Sequence, residues 1–413
     1  MLSLQDDWIS FHDTPLLYVK PGQCLFESGC GNTAMRKGKG MRAFGRDRLR
    51  PVRHLAAACR TGPDGGRILL ASGRRRQTLG VALRIEADDR VCRIRAEGLP
   101  WDHNRIRFRL SLPGGDVVHP GGAGVMQGRR YAVWADNGNP APVNGIWTDS
   151  GIWAVLQSRS LAIWRMEAED RAGGGHACLC VESWDPVDML VVGLADGGPS
   201  AEAFLMAWDA ANNGLTGELT RGRGVPVASG GLQAIRRQVA STPSPLLWIE
   251  DWQGMRRTLL SKTSNCSWRS DPDLYGGLPG LVRELAEQGI QAAIHVMPLL
   301  NLDSELCREA VVRGYCLVGR NGRCFEDRTR ENPVVWLDLT QPACAAWLQE
   351  TMRTLAAELG VRAVVAHLDE PFPVGASAQG GDAITLRNGW AGRWLAVCRQ
   401  AFGEDPGMQV ISC

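Results

Sequence analysis

The chain has 413 residues and a mass of 44.9 kDa, room for two or three domains at roughly 150 residues each. It is 44% hydrophobic and 22% charged, which excludes a disordered tail or a fibrous repeat. A formal net charge of +2 argues against nucleic acid as the main partner.

Only four of the 46 basic residues are lysines, a bias read as coding composition and not as chemistry. The basic run between Arg36 and Arg53 reads as a solvated loop. The longest apolar stretch, near Met189–Ala195, is too short to span a bilayer. The N-terminus carries Asp6 and Asp7 where a signal peptide needs positive charge, so a cytoplasmic location and no membrane partner are expected. The 13 cysteines include no Cys-x-x-Cys pair and read as buried reduced thiols. Cys178 and Cys180 are two apart, on one face of an expected strand.

In chain order, the first part is β-like. Strands are expected at Arg67–Gly73, Leu79–Ala87, Val91–Leu99 and Asn104–Leu112. The last alternates strictly, with Ile106, Phe108 and Leu110 on one face and Arg105, Arg107 and Arg109 on the other: a half-buried antiparallel strand. Gly151–Trp164 and His176–Ser183 continue the pattern, and turn-forming clusters punctuate it. Such a series reads as a β-sandwich, closed by a helix over Ala201–Asn212.

Near Gly222 the rhythm changes to strand–helix alternation, which sets the expected domains at residues 1–221 and 222–413. Strands are expected at Gly224–Ser229, Leu246–Asp251, Gln291–Pro298, Val361–Glu370 and Met408–Cys413. Helices are expected over Leu232–Ala240, Leu278–Gly289, Ser304–Gly314, Pro342–Gly360 and about Ile384–Ala401. Repeated β-α units imply a parallel sheet with helices outside, most simply a barrel. A closed barrel of this kind needs eight strands, and five are legible before the chain stops inside the fifth. The expectation is a chain cut from a longer protein, or an open edge covered by a partner chain or an oligomer.

Reactive groups in such barrels sit at the C-terminal ends of the strands. The second strand ends in Glu250, Asp251 and Trp252, with Arg256 just after. The third ends near His295, and the fourth in His367, Asp369 and Glu370. Carboxylates that grip hydroxyls beside an aromatic face suit a sugar, so a small carbohydrate or glycoside is the expected partner. The same carboxylates could equally pair with arginines or cap helices. The His367-Leu368-Asp369 spacing, with His295 as second histidine, also matches some iron sites, but a lone His-x-Asp is common by chance.

These motifs resemble glycoside hydrolase family 31, most closely its sulfoquinovosidase-like group. Trp248–Thr258 resembles the Q-D-W-x-G-x-R-x-T segment, and Trp336–Glu350 the V-D-L-T-N-P-x-A-x-x-W motif. Leu281–Leu300 and Cys307–Leu317 follow in order, and upstream Asp102–Leu110 is similar to an H-N-R-I-x-x-R-L strand. The resemblance implies a galactose-mutarotase-like β-sandwich followed by a (β/α)8 barrel, here incomplete. It implies retaining hydrolysis of α-glycosides through a covalent glycosyl–enzyme intermediate, with no metal or organic cofactor.

The departures fall on the chemistry. The nucleophile Asp of the A-D-F-G-E motif is replaced by His367 in Ala366–Glu370. Asp369 lies two residues further on, roughly 6–7 Å along an extended strand, and Glu370 matches the final Glu. The positions that read a sulfonate hold Thr263 and Cys266, Glu250 stands in place of Gln, and Gly121-Gly122-Ala123-Gly124 lacks the Glu of a sandwich loop. The family's general acid lies on a sixth strand, beyond the five seen. The expectation is a family 31-like hydrolase impaired or inactive as this chain; the alternative is a non-catalytic carbohydrate-binding or scaffold protein.

Overall fold

A computed structural model describes the chain apart from residues 1, 31–34, 37–42, 45–51, 63–64, 73–80, 113–115, 122–129, 134–141, 159, 168–176, 186–188, 214–224, 242–243, 258–261, 329–331, 369, 403–406 and 413. The side chains of 35–36, 43–44, 61, 69–72, 130, 167, 177, 209–213, 256–257 and 262 are also outside the description. Most of the basic run between Arg36 and Arg53 therefore lies outside the described residues. The described residues up to 213 form one compact unit and those from 225 onward another. No described helix is long and apolar enough to cross a membrane.

The first unit is antiparallel. A meander of Leu2–Gln5, Trp8–Phe11 and Thr14–Tyr18 precedes a 13-stranded sheet, which runs from Val118–Pro120 at one edge to Arg130–Val133 at the other. Arg105–Leu112 lies between Cys24–Gly29 and Ala177–Ser183. Its apolar face is buried as the alternation requires, with Ile106, Phe108 and Leu110 in one core with Phe11, Phe26 and Trp164.

The arginine face is far drier than a half-buried strand implies. Arg105 is 3% exposed, bonded to Glu182 at 2.9 Å, with its guanidinium 4.1 Å from the Trp184 ring centre. Arg107 bridges Glu27 at 2.7 Å and Glu182 at 3.3 Å, and Arg165 reaches Glu182 at 3.5 Å. The reason is cross-strand register. Arg107 stands opposite Glu27 on one neighbour and Glu182 on the other, so each charge meets its counter-charge. The helix at the end of this unit spans Gly198–Asn213.

The second unit is built on five parallel strands in chain order: Val227–Ala228, Leu246–Ile249, Gln291–Val296, Ala363–Ala366 and Gln409–Ser412. Helices Leu232–Ser241, Leu278–Glu287, Glu305–Val312, Pro342–Leu359 and Trp390–Phe402 intervene. The fourth of these begins with proline at its first turn and ends at Gly360, whose φ of 72° supplies the left-handed cap. The expected helix over Ile384–Ala401 is instead broken: Ala383–Leu386, a 3-10 turn over Arg387–Gly389, then Trp390–Phe402. Arg387 is 1% exposed, and its guanidinium donates to the Phe372 carbonyl, which holds the break in place.

The register puts Trp248 beside Ala293, and His295 beside Val365. Side chains alternate along a strand, so Leu246, Trp248 and Glu250 share one face with Ala293, His295, Ala363, Val365 and His367. The apolar members Ala293, Ala363, Val365 and Ile411 pack together, with Leu246 and Trp248 against them. That face therefore carries apolar residues first and polar ones at its C-terminal end.

Candidate functional site

The second strand stops at Ile249, and the chain turns at once. The Gly254 N–H donates to the Asp251 carbonyl at 2.8 Å, with Gly254 at φ 81°. Only glycine fits there: a Cβ would overlap the Asp271 carboxylate. A hairpin of Met255–Arg257 with Lys262–Ser264 follows. Arg256 lies in its first strand, but its side chain is outside the described residues.

Asp251 is buried, 1% exposed. One carboxylate oxygen accepts the Tyr275 hydroxyl, and the other accepts the Gly230 N–H at 2.9 Å. The Tyr275 oxygen in turn accepts the Gly231 N–H at 3.1 Å. Trp252 is fully buried, and its indole N–H donates to the His295 carbonyl at 3.0 Å. Both expected sugar contacts thus have their polar atoms engaged by the protein and serve as framework. Glu250, beside them, is half-buried.

His295 and His367 meet on the shared sheet face, with ring centres 6.2 Å apart and planes at 57°. Trp248 packs edge-on to His295 at 6.2 Å. Burial, and after it the neighbouring His367, pushes the His295 pKa down to about 3. Its ring bonds to the Glu250 backbone, while Nδ1 has no partner among the described residues. His367 follows directly on the fourth strand, its N–H bonded to the Val296 carbonyl at 3.2 Å, with its side chain half-buried. Glu370 is half-buried as well; Asp369 lies outside the described residues.

The loop after Glu370 is clasped from elsewhere. Asp338, in the Trp336–Glu350 motif, accepts the Thr340 N–H at 2.9 Å, the Thr340 hydroxyl at 2.6 Å and the Gln379 N–H at 2.8 Å. The Thr340 hydroxyl accepts the Gly380 N–H at 2.9 Å. That motif therefore ties the loop to a helix N-terminus. Of the two positions aligned with sulfonate readers, Thr263 is half-buried, and Cys266 is 1% exposed with its N–H on the Asn301 side chain at 3.0 Å. The Gly121–Gly124 loop lies outside the described residues beyond Gly121.

The structure thus brings Glu250, His295 and His367 to one end of one sheet face, with Glu370 just after, and withdraws Asp251 and Trp252 into the frame. A neutral imidazole and half-buried carboxyl groups can accept hydroxyl hydrogen bonds. Among the described residues, no group of three or more His, Cys, Asp or Glu is arranged to hold a metal ion. Trp248 and Tyr275 are the residues that sequence reasoning passed over. Trp248 was legible from the two-residue period running back from Glu250. Tyr275 was not, since nothing local announces a partner 24 residues from Asp251.

Residues 239–390 match the TIM-barrel domain of glycosyl hydrolases family 31. The sulfoquinovosidase of Escherichia coli (strain K12) is 27% identical over 162 residues, 39% of this chain and 24% of that protein. The sulfoquinovosidase of Agrobacterium fabrum is 30% identical over 168 residues, 40% of this chain and 25% of that protein. The matched region thus spans about a quarter of those relatives. A family 31 sulfoquinovosidase from E. rectale, solved with an aza-sugar inhibitor, shares the fold at a TM-score of 0.77 and 17% identity, over 98% of this chain and 64% of that one. The barrel that residues 239–390 resemble is that of the family 31 glycosidases. Within that class the chain is sulfoquinovosidase-like.

Proposed function

We propose that this chain binds a carbohydrate at the C-terminal ends of its parallel strands and does not hydrolyse it by the retaining route. In the same reading the 13-stranded sheet is a β-sandwich, the five parallel strands are part of a (β/α)8 barrel, and the boundary falls near residue 221. The observation that carries the proposal is that His367 stands directly after the fourth strand, beside a buried neutral His295, at the position where the motif resemblance would put the nucleophile. Retaining hydrolysis needs a carboxylate that forms a glycosyl ester and a second carboxyl group about 5–5.5 Å away. An imidazole cannot form that ester. Glu250, His367 and Glu370 are the groups proposed to hold sugar hydroxyls, with Arg256 and Asp369 flanking them, while Asp251, Trp252 and Tyr275 fix the backbone beneath.

The sugar proposed is a neutral α-glycoside. A sulfonate calls for an arginine's paired N–H groups, and neither Thr263 nor the buried Cys266 replaces them. The test is calorimetric titration with methyl α-glucoside, methyl α-xyloside and methyl α-sulfoquinovoside, alongside an aryl α-glycoside turnover assay. Saturable binding of a neutral glycoside, without aryl release, is expected. Covalent labelling by a 5-fluoro glycosyl fluoride, or multiple turnovers, would overturn the reading. Binding of the sulfonated sugar alone would overturn the choice of ligand.

A further inference from the structure

The Ala177–Ser183 strand carries a pair of thiols that the strand-end site does not use. Cys178 and Cys180 lie two apart, so their side chains leave the same face of the sheet. Both are in the thiol form, and their sulfurs stand 3.6 Å apart. Cys180 is 2% exposed and Cys178 is half-buried. Cross-strand register sets what surrounds them. Arg109 and Arg165 stand on either side of Cys180, and Ser111, a small residue, stands opposite Cys178. An Arg109 guanidinium N–H donates to the Cys178 sulfur at 3.9 Å, so a cation adjoins the more accessible thiol.

The spacing of the sulfurs selects the ligand. Residues two apart on a strand have Cα atoms about 6.6 Å apart. A disulfide would draw the sulfurs in to about 2.05 Å. The strand is paired on both sides, with Arg105–Leu112 and Ala162–Glu167, and resists that contraction. An atom placed between the sulfurs needs no contraction. With bonds to sulfur of about 2.3 Å, a gap of 3.6 Å subtends about 100° at the bridging atom, whereas a linear two-sulfur cation needs a gap of about 4.6 Å. Tetrahedral zinc accepts the angle but asks for two further ligands, and among the described residues no third His, Cys, Asp or Glu completes such a set. A pyramidal trivalent atom needs only the two sulfurs and brings its third substituent with it.

We propose that Cys178 and Cys180 form a dithiol site for trivalent arsenicals. The Cys178 sulfur attacks the arsenic of an organoarsenic(III) oxide, and its proton passes to the oxygen. The Cys180 sulfur then attacks the same arsenic, the remaining As–O bond breaks, and the second proton leaves with that oxygen as water. Two thiols and one oxide give one cyclic dithioarsonite and one water, with no change of oxidation state. The second bond forms within the molecule, so the pair should hold the ligand about 10²–10⁴-fold more tightly than one thiol does.

The full chain is treated with phenylarsine oxide, alkylated with iodoacetamide under denaturing conditions and digested with trypsin. The peptide Ala172–Arg221 contains these two cysteines and no other. One phenylarsenic on that peptide is expected, with both cysteines protected from alkylation. Dimercaptopropanol should restore alkylation, and an equal concentration of mercaptoethanol should not. Cys178→Ser and Cys180→Ser should each need at least about a hundredfold more reagent to protect the remaining cysteine. Phenylarsenic found elsewhere while Cys178 and Cys180 of the unmodified chain alkylate would overturn the assignment. So would protection of one of the two alone, capture by a single-cysteine variant at the parent's dose, or a Cys178–Cys180 disulfide in the untreated protein. Equal protection by zinc chloride would overturn the choice of ligand.

Discussion

Tyr275→Phe isolates the support beneath the second strand. The substitution removes one oxygen and little volume, but that oxygen serves two groups: it donates to Asp251 and accepts the Gly231 N–H at 3.1 Å. Asp251, 1% exposed, would keep only the Gly230 N–H at 2.9 Å for its charge. A hydrogen bond to a buried charged group is worth about 1.5–3 kcal/mol, and a stranded amide about 1–3 kcal/mol. Because water can partly repair such losses, we expect about 2–4 kcal/mol in all. Urea unfolding followed by tryptophan fluorescence reads this at neutral pH. The pH dependence supplies a second reading. Burial and the Asp251 carboxylate hold the Tyr275 pKa well above its ordinary value. A raised folded pKa gives a contribution that is complete below the unfolded value, about 10, and is lost as pH climbs through the folded one. The gap between parent and variant should be flat from pH 6 to 9 and narrow above 10. A gap under about 0.5 kcal/mol, or one unchanged at alkaline pH, would refute the reasoning.

Three further outcomes are expected. Glu182→Gln strips the counter-charge from Arg105, 3% exposed, and weakens contacts to Arg107 and Arg165; it should cost about 3–5 kcal/mol, read as a lowered thermal midpoint, and a shift within error would refute the buried network. Gly254→Ala forces a Cβ onto the Asp271 carboxylate at φ 81° and should destabilise by more than about 1 kcal/mol in urea; a neutral result would show that the turn can relax. Acid should weaken the fold through His54 and His295, whose pKa values burial pushes down to about 4 and about 3. The unfolded chain takes up protons near pH 6.5 and the native one does not, so stability falls from about pH 6.5 downward. Urea midpoints at pH 7, 5.5 and 4.5 check this, and a constant midpoint would refute it.

The five parallel strands were legible because buried runs such as Gln291–Val296 and Ala363–Ala366 have few other readings, and proline and glycine mark the helix between them. The opening meander was not legible. Its two turns place Asp6, Asp7, His12 and Asp13 at φ of 51°, 64°, 47° and 65°, without the Asn-Gly or Asp-Gly pair that announces a tight hairpin. Strand ends also located Glu250, His295 and His367. Period and motif cannot say that Asp251 is spoken for, because its partners come from Gly230 and Tyr275. The arginines of the Arg105–Leu112 strand were placed on the correct face, but their dryness depends on Glu27 and Glu182 in strands far away in sequence.

The groups that hold the strand ends mostly grip main chain. Trp252 bonds to the carbonyl of His295, and His367 is pinned through its own N–H to the carbonyl of Val296. Such contacts do not depend on which side chain the pinned residue carries. Either a histidine or an aspartate at position 367 would therefore be held by the same main-chain bond. The shape of the strand ends and the chemistry of the side chain at position 367 are thus set by different atoms. An aspartate introduced at position 367 would meet a frame that does not depend on the imidazole.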